Sequence, residues 1–298
     1  MLKRPQKAPT TSVTNAELHA VRFPLLGSPK LDGYRCTTMN GAFTSSMKKV
    51  TNRFIQEVLS DPIHNGLDGE LIVGKPNDPN VFNNTTGPVR RADGQPDFKF
   101  YVFDRHDMPG APYSERLESL KEVSPYIHIV KQCIIQTIAD VVTFEMRCVQ
   151  NNFEGAMIRS PNGIYKPGRC TLKEANIFKR KPVEDDECTI IGFEEQMQNN
   201  NASKMNETGN MVRSSHKANK SGKGTLGKFI VRSTKWKEPF AIGTGKGLTD
   251  ALRQRIWNNK NIYLGATITY KYQLYGSINA PRQPIFKGFR DQADLTNY

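Results

Sequence analysis

No stretch of this 298-residue sequence reaches the ~18 consecutive apolar residues that a membrane-spanning helix needs. The first ten residues are basic and contain proline but have no apolar run, so they do not read as a secretory leader; they read as a short flexible arm. Cysteine is scarce as well. The five (Cys36, Cys133, Cys148, Cys170, Cys188) are odd in number and far apart, without a C-x-x-C pair or a histidine at zinc-ligand spacing. That pattern argues against a disulfide framework and against zinc, and reads as buried free thiols in an intracellular, reducing compartment rather than in a secreted protein. Acidic residues are outnumbered, 29 against 42 Lys and Arg, which leaves a net charge of +13. An excess of that size favours a polyanionic partner, because neutralising phosphates releases counterions. The remaining composition, 37% hydrophobic and 24% charged, is that of an ordinary globular chain, and no internal repeat is evident.

What is present is organised in two parts. Alternating apolar residues predict strands near 23–28, 33–39, 67–73, 99–104, 126–131 and 154–159. Helical periodicity predicts helices at 53–60 behind an Asn52 cap, at 114–123, and at 138–150 behind Thr137. The Asn-, Pro- and Gly-rich stretch 74–97 reads as a long functional loop. Proline and the acidic run at Lys181-Pro182-Val183-Glu184-Asp185-Asp186 mark a boundary, placing one domain at 1–184 and a second at 185–298. The second predicts strands at 188–194, 227–233, 239–243, 263–272 and 284–290 and a helix at 249–259, the count expected of an OB-fold barrel. Within it, 196–224 is polar and basic and reads as an inserted loop that orders on a polyanion. From Lys204 to Lys237 there are nine basic residues against one acid, Glu207, the footprint of a nucleic-acid contact.

The chemistry is carried by five segments. Lys30-Leu31-Asp32-Gly33-Tyr34-Arg35 places a lysine near a strand end with a carboxylate and an arginine following it. Leu67-Asp68-Gly69-Glu70-Leu71 feeds a strand that presents a carboxylate. Tyr101-Val102-Phe103-Asp104 offers an aromatic ring, and Phe153-Glu154-Gly155-Ala156-Met157-Ile158-Arg159 a second carboxylate. Ile177-Phe178-Lys179-Arg180-Lys181 puts two lysines two residues apart, on one strand face. Each alone suits a solvated turn, an edge carboxylate or a core ring.

In this order they resemble the covalent nucleotidyltransferases and, within them, the ATP-dependent DNA ligases. The stretches from Asn206 to Lys217, Ile242 to Gly245 and Pro281 to Arg290 resemble the minimal viral members, which carry a DNA-encircling latch loop on their OB domain. The resemblance runs from about Phe23 to Asp294. It implies an α+β protein: a mixed α/β, ATP-grasp-like nucleotidyltransferase domain followed by an all-β OB-fold barrel with a latch-like insertion. It also implies a monomer that seals 5′-phosphate/3′-hydroxyl nicks in duplex DNA with ATP and Mg²⁺, Mn²⁺ being a substitute, and without membrane or zinc.

By that resemblance Lys30 is the nucleophile that becomes lysine–AMP, with Asp32 near the reacting strand ends and Arg35 on the ribose or nick phosphate. A lysine amine titrates near ~10.4, so the nucleophile must lose a proton, which neighbouring like charge and a partly dry pocket favour. Lys179 and Lys181 contact the α-phosphate, Phe103 stacks on adenine, Glu70 binds the ribose hydroxyls, and Ser28 joins the nucleotide site. Glu154, with Glu70, is the candidate metal ligand. Arg282 and Asp294 match the last family motif, where they orient the pyrophosphate, a role that calls for a hinge near Pro182 to Asp186. Lys48, Lys49, Lys204, Arg213, Lys217, Lys220 and Lys223 are the candidate nucleic-acid contacts.

One departure stands out. Members of the family carry an arginine in a pattern like S-R-x-x-K-P-x-x-N, and here Ser45 occupies that position in Thr44–Asn52. Serine cannot supply a bidentate phosphate grip, which leaves Lys48 or Lys49 as compensating point charges. The alternatives are an RNA ligase or mRNA-capping guanylyltransferase of the same superfamily, and a catalytically silent nucleic-acid-binding relative. Asp32, Arg35 and Glu154 favour the DNA ligase.

Overall fold

The computed structural model describes residues 2–205 and 211–290. The chain divides into two compact units between Lys181 and Pro182.

The first unit is built on two sheets. One runs in the order β4 (Ala42–Thr44), β3 (Tyr34–Thr38), β5 (Leu67–Val73), β6 (Phe98–Arg105) and β7 (Ile127–Ile129), antiparallel except between β6 and β7. Along β6, buried Phe98, Phe100, Val102 and Asp104 alternate with half-buried Lys99, Tyr101, Phe103 and Arg105. The period of two turns Phe98, Phe100 and Val102 toward Ile55 and Leu59 of α2 (Arg53–Leu59) and turns Tyr101 and Phe103 toward Leu31, Ile72 and Val81. Asn52 caps α2, its Oδ1 accepting the Ile55 N–H at 3.0 Å.

The other sheet has the order β11 (Ile177–Arg180), β9 (Ala156–Arg159), β2 (Leu25–Pro29) and β8 (Cys133–Ile135), all antiparallel. It is covered by α5 (Ile138–Gln150), whose Val141 and Cys148 bury against Leu25, Ile135, Ile158 and Phe178. Thr137 and Asp140 close a capping box at its start. Shorter elements complete the unit: α1 (Asn15–Leu18), α3 (Val81–Arg90), α4 (Tyr113–Glu118), and a two-stranded parallel ladder of β1 (Gln6–Lys7) on β10 (Gly168–Arg169).

Three expectations need correcting here. Residues 2–10 are no flexible arm. Gln6 is buried, its N–H donating to Tyr165 Oη at 3.1 Å and its side-chain amide to Ile164 O at 3.0 Å. The stretch 74–97 contains a helix, α3, because Val81, Thr85 and Val89 recur at helical spacing and are buried, overriding the weak propensity of its Asn, Gly and Pro. Of the five free cysteines, Cys133 is exposed rather than buried, since it lies on the edge strand β8.

In the second unit the main sheet runs β16 (Phe240–Ile242), β15 (Lys220–Arg232), β12 (Val183–Asn199), β17 (Thr267–Gln273) and β18 (Arg282–Phe289), antiparallel throughout. Val183 to Asp186, read from the sequence as the boundary segment, are the opening of β12. Helix α6 (Asp250–Asn258) begins at a Thr249 cap and is followed by α7 (Lys260–Tyr263). Arg253 fastens α6 to the sheet by donating to Leu226 O, Gly227 O and Gly243 O at 2.7–3.0 Å. The core gathers Ile190, Leu226, Phe229, Val231, Ile256, Ile268, Tyr270 and Phe286.

The strands of the expected OB-fold form an open sheet among the described residues: no strand pairing joins β16 to β18, and the two edges meet through the Phe286 N–H on Thr244 O at 2.7 Å. The expected loop at 196–224 is largely strand. β12 and β15 stay paired as far as Asn199 and Lys220, and β13 (Ser203–Met205) pairs with β14 (Met211–Arg213) beyond them.

Candidate active site

The first unit holds a cavity of about 230 Å³ lined by residues from both of its sheets and from the β1–β10 ladder. Lys30 reaches it from the end of β2. Its backbone is fixed on both sides, with Lys30 N–H donating to Gly155 O at 2.8 Å and Glu154 N–H to Lys30 O at 3.2 Å. Gly155 has φ +144°, and a Cβ there would lie 2.1 Å from Arg180 O. A side chain at this position would push apart the backbones that seat Lys30 and Glu154. Gly33 and Gly69 serve similarly, since a Cβ on either would stand 2.3–2.4 Å from the carbonyl of a facing strand.

Glu154 is the hub of the charged side chains. One carboxylate oxygen contacts Lys30 Nζ, and the other accepts from Lys181 Nζ at 3.2 Å. Lys179, register partner of Met157 across β11–β9, lines the cavity itself. Burial, then the charges of Lys181 and Lys30, bring its amine down to about 8. On the opposite wall Glu70 faces the same space from β5, where it pairs with Arg35 of β3 and Tyr101 of β6. Burial pushes its carboxyl up to about 7, against the pull of Arg35 and Lys30.

Arg35 grips Asp68 in a two-pronged pair at 2.7 and 2.8 Å and donates to Gln6 O at 3.0 Å. Burial alone would lower its guanidinium; Asp68 and Glu70 outweigh that and hold it protonated. Tyr165 adds a hydroxyl donor to Asp68 at 2.7 Å. Phe103 stands on the wall with the Arg35 and Arg159 guanidinium carbons 4.6 and 5.1 Å from its ring centroid. Arg159 is itself held by buried Asp104 at 3.0 Å, and Asp104 takes Arg116 in a second two-pronged pair at 2.7 and 3.1 Å.

The structure therefore brings together Ser28, Lys30, Arg35, Glu70, Phe103 and Lys179 on one cavity, with Glu154 and Lys181 behind Lys30. Asp32 is buried close enough to Glu70 to raise its carboxyl. Arg282 starts β18 of the second unit, paired with Gln273 of β17, and Asp294 lies outside the described residues. Lys48 and Lys49 are exposed beside β4 and do not line the cavity, whereas Ser45 does. Lys204, Arg213, Lys217 and Lys223 are exposed and Lys220 half-buried, all on or beside β13, β14 and β15.

Lys7, Ala8, Arg159 and Arg169 also line the cavity and were not singled out from the sequence. Arg159 stands inside a motif already noted, so its signal was present. Lys7 and Arg169 belong to no local pattern, because their place depends on a ladder between segments distant in sequence. Among the described residues no group of three or more His, Cys, Asp and Glu is arranged to hold a metal ion.

Residues 28–181 match the ATP dependent DNA ligase domain, and residues 219–290 match the DNA ligase OB-like domain. A DNA ligase of Haemophilus influenzae is 25% identical over 223 residues, 72% of this chain and 68% of that protein. A DNA ligase of African swine fever virus is 25% identical over 135 residues, 43% of this chain and 31% of the relative, so the chain spans about a third of that relative's length. The crystal structure of Chlorella virus DNA ligase-adenylate is 26% identical with a TM-score of 0.53, covering 97% of this chain and 100% of that one. With the catalytic-domain match alone taking in more than half of the sequence, the chain belongs to the ATP-dependent DNA ligase family.

Proposed function

We propose that the protein seals nicks in duplex DNA at the expense of ATP, with Lys30 as the adenylated residue. The observation that carries this reading is the convergence of Lys30, Glu154, Lys179 and Lys181 at one side of a cavity whose other wall presents Glu70, Phe103 and Arg35. Lys30 Nζ attacks the α-phosphorus of ATP, an N–P bond forms, and the bond to the β-phosphate oxygen breaks to release pyrophosphate. The Glu154 carboxylate against Nζ is the acceptor the geometry offers for the proton that the amine must lose. Lys179, charged below about pH 8, balances negative charge on the α-phosphate as the transition state forms. Phe103 provides an apolar face for adenine, and Glu70 a carboxylate for the ribose hydroxyls.

The donor set fits a hard divalent cation such as Mg²⁺. Glu70 faces the cavity, and such ions take one or two carboxylates together with phosphate oxygens and water. When bound it would neutralise charge on the phosphates. Glu154, with a lysine on each oxygen, acts in this arrangement as an ion-pair partner rather than as the principal ligand.

AMP then passes to an oxygen of the nick's 5′-phosphate, which frees Lys30. The 3′-hydroxyl attacks that phosphorus and AMP leaves. The second unit supplies phosphate contacts through the cations of β13 to β15, and Arg282 and Asp294 assist pyrophosphate departure.

The test is incubation with α-³²P-ATP and Mg²⁺ followed by a chase with nicked duplex. Label is expected to appear on the protein, move to the DNA 5′ end, and be lost as free AMP when the strand joins. Label from α-³²P-GTP instead, or label retained on a Lys30→Ala protein, would overturn the reading.

A further inference from the structure

The basic ribbon of the second unit leaves its sheet at a built joint. Met197, Gln198 and Asn199 of β12 face Gly222, Ser221 and Lys220 of β15 in step. Between Glu195 and Met197, however, β12 advances two residues while β15 steps four, from Leu226 to Gly222. Extra residues on one strand bend it and turn the part beyond. Two side chains hold this bend. Glu195 Oε1 accepts the Gly224 N–H at 2.7 Å, and Gln254 Nε2 of α6 donates to Gly224 O at 2.8 Å. Gly224 has φ +65°, and a Cβ on Gly222 would stand 2.3 Å from the same Glu195 oxygen, so both positions make room for this carboxylate. Arg253 secures the near side through Leu226 O and Gly227 O. Beyond the joint the ribbon is braced again. Buried Asn201 donates to Ser214 O and His216 O at 3.0 and 2.9 Å, and Arg213 donates to Asn201 O at 2.6 Å. With the far part braced, the joint decides where the ribbon's cations are carried.

We infer that Glu195 is a positioning residue for duplex binding. By fixing Gly224 it sets the angle at which the cationic ribbon leaves the sheet, so that the ribbon meets the duplex already aimed. The inference rests on the duplex substrate proposed above. Residues 196–224 contain five Lys and Arg against one acid, Glu207, and Glu195 stands at the root of this segment. Coulomb attraction alone would favour its removal, because a carboxylate there weakens the pull on a polyanion. The carboxylate works against attraction and for geometry. A ribbon ordered before DNA arrives spares part of the entropy that binding otherwise costs. The two roles give opposite signs: a carboxylate that is only a charge opposes binding, and one that holds the joint supports it.

The experiment titrates a fluorescent nicked duplex with the full-length protein, without ATP, over a range of salt. Glu195→Ala is expected to bind about tenfold more weakly than the unsubstituted protein, the ratio that one charge-assisted hydrogen bond represents. The slope of log K against log salt is expected to stay the same, because no cation is removed. Glu195→Gln discards the charge but keeps an oxygen that accepts the Gly224 N–H, and is expected to bind at least as tightly as the unsubstituted protein. Gln254→Ala loosens the same bend from the exposed side of α6 and is expected to weaken binding by a smaller factor. A folded Glu195→Ala protein that binds as tightly as the unsubstituted one, or more tightly, overturns the inference. So does equal weakening in Glu195→Ala and Glu195→Gln, which would separate the effect from the accepted N–H. If Glu195→Ala fails to fold, unchanged binding by Gln254→Ala overturns it instead. Self-adenylation from α-³²P-ATP is followed separately: its absence removes the proposed function, whereas the binding comparison decides the joint alone.

Discussion

The two units both carry lysine and arginine in excess, yet they use them in opposite ways. In the first, Lys30, Arg35, Arg116 and Arg159 are buried or half-buried and pinned by Glu154, Asp68 and Asp104. In the second, Lys204, Arg213, Lys217 and Lys223 stand exposed on a hairpin extension. A pinned cation has a fixed position in a poorly solvated space, where a misplaced charge is costly and chemistry depends on geometry. An exposed cation trades counterions for phosphates and contributes affinity that salt erodes. One architecture suits bond making, and the other suits holding a polyanion of any sequence.

Perturbing each region sharpens that contrast, and the largest effect is expected at Lys30. Lys30→Ala should remove self-adenylation and sealing from ATP altogether while leaving nick binding within a few-fold, as read by label transfer and by titration with nicked duplex. Next comes a pinned cation remote from the reacting atoms. Arg116→Ala leaves buried Asp104 with Arg159 as its remaining ion-pair partner, and a loss of roughly 3–5 kcal/mol in unfolding free energy is expected by urea titration. A loss below about 1 kcal/mol would mean that the pinned network is not structural.

The exposed region should behave differently. Replacing Lys204, Lys217, Lys220 and Lys223 with alanine should leave the melting temperature unchanged and reduce the slope of log K against log salt. The slope is expected to fall by about 0.9 for every phosphate that the protein no longer neutralises. An unchanged slope would separate this hairpin from DNA binding.

The pH dependence of AMP transfer comes after these. Activity that needs Glu70 as a carboxylate and Lys179 as an ammonium rises through about pH 7 and falls beyond about pH 8. Lys179→Arg, which stays charged, should move the alkaline limb upward in a kcat/KM profile even if the peak rate drops. In stability terms both shifts disfavour the charged form in the folded state. Glu70 thus contributes stability below its unfolded pKa that is lost as pH rises to about 7, and the penalty on Lys179 is relieved as pH rises past about 8. The smallest effect is local: Asn52→Ala should cost about 1 kcal/mol through the cap of α2.

The cavity wall was legible because its residues sit in short strands whose spacing is visible locally. Glu70, Phe103 and Lys179 face the cavity for the same period-two reason that made their segments read as strands. Asn52 and Thr137 announced their helices through ordinary capping chemistry. Helix α3 was hidden because Asn83, Asn84, Gly87 and Pro88 argue against a helix, and only the buried trio Val81, Thr85 and Val89 sustains it. Asp68 and Asp104 were visible as letters in motifs but not as anchors, since their arginine partners come from other strands and from α4. The long strands reaching into 196–224 were masked by polar, exposed side chains, which a two-stranded ribbon tolerates and a core strand does not.

The ladder of β1 on β10 has a consequence for when the protein becomes competent. Gln6 N–H meets Tyr165 Oη across 159 positions of sequence, so this segment, synthesised well before Tyr165, waits for most of the first unit before it can dock. Until it does, the cavity lacks the wall formed by Lys7 and Ala8. A nascent chain interrupted before Gly168 would hold Lys30 and still have an incomplete cavity, which couples the first useful encounter with ATP to completion of nearly the whole unit.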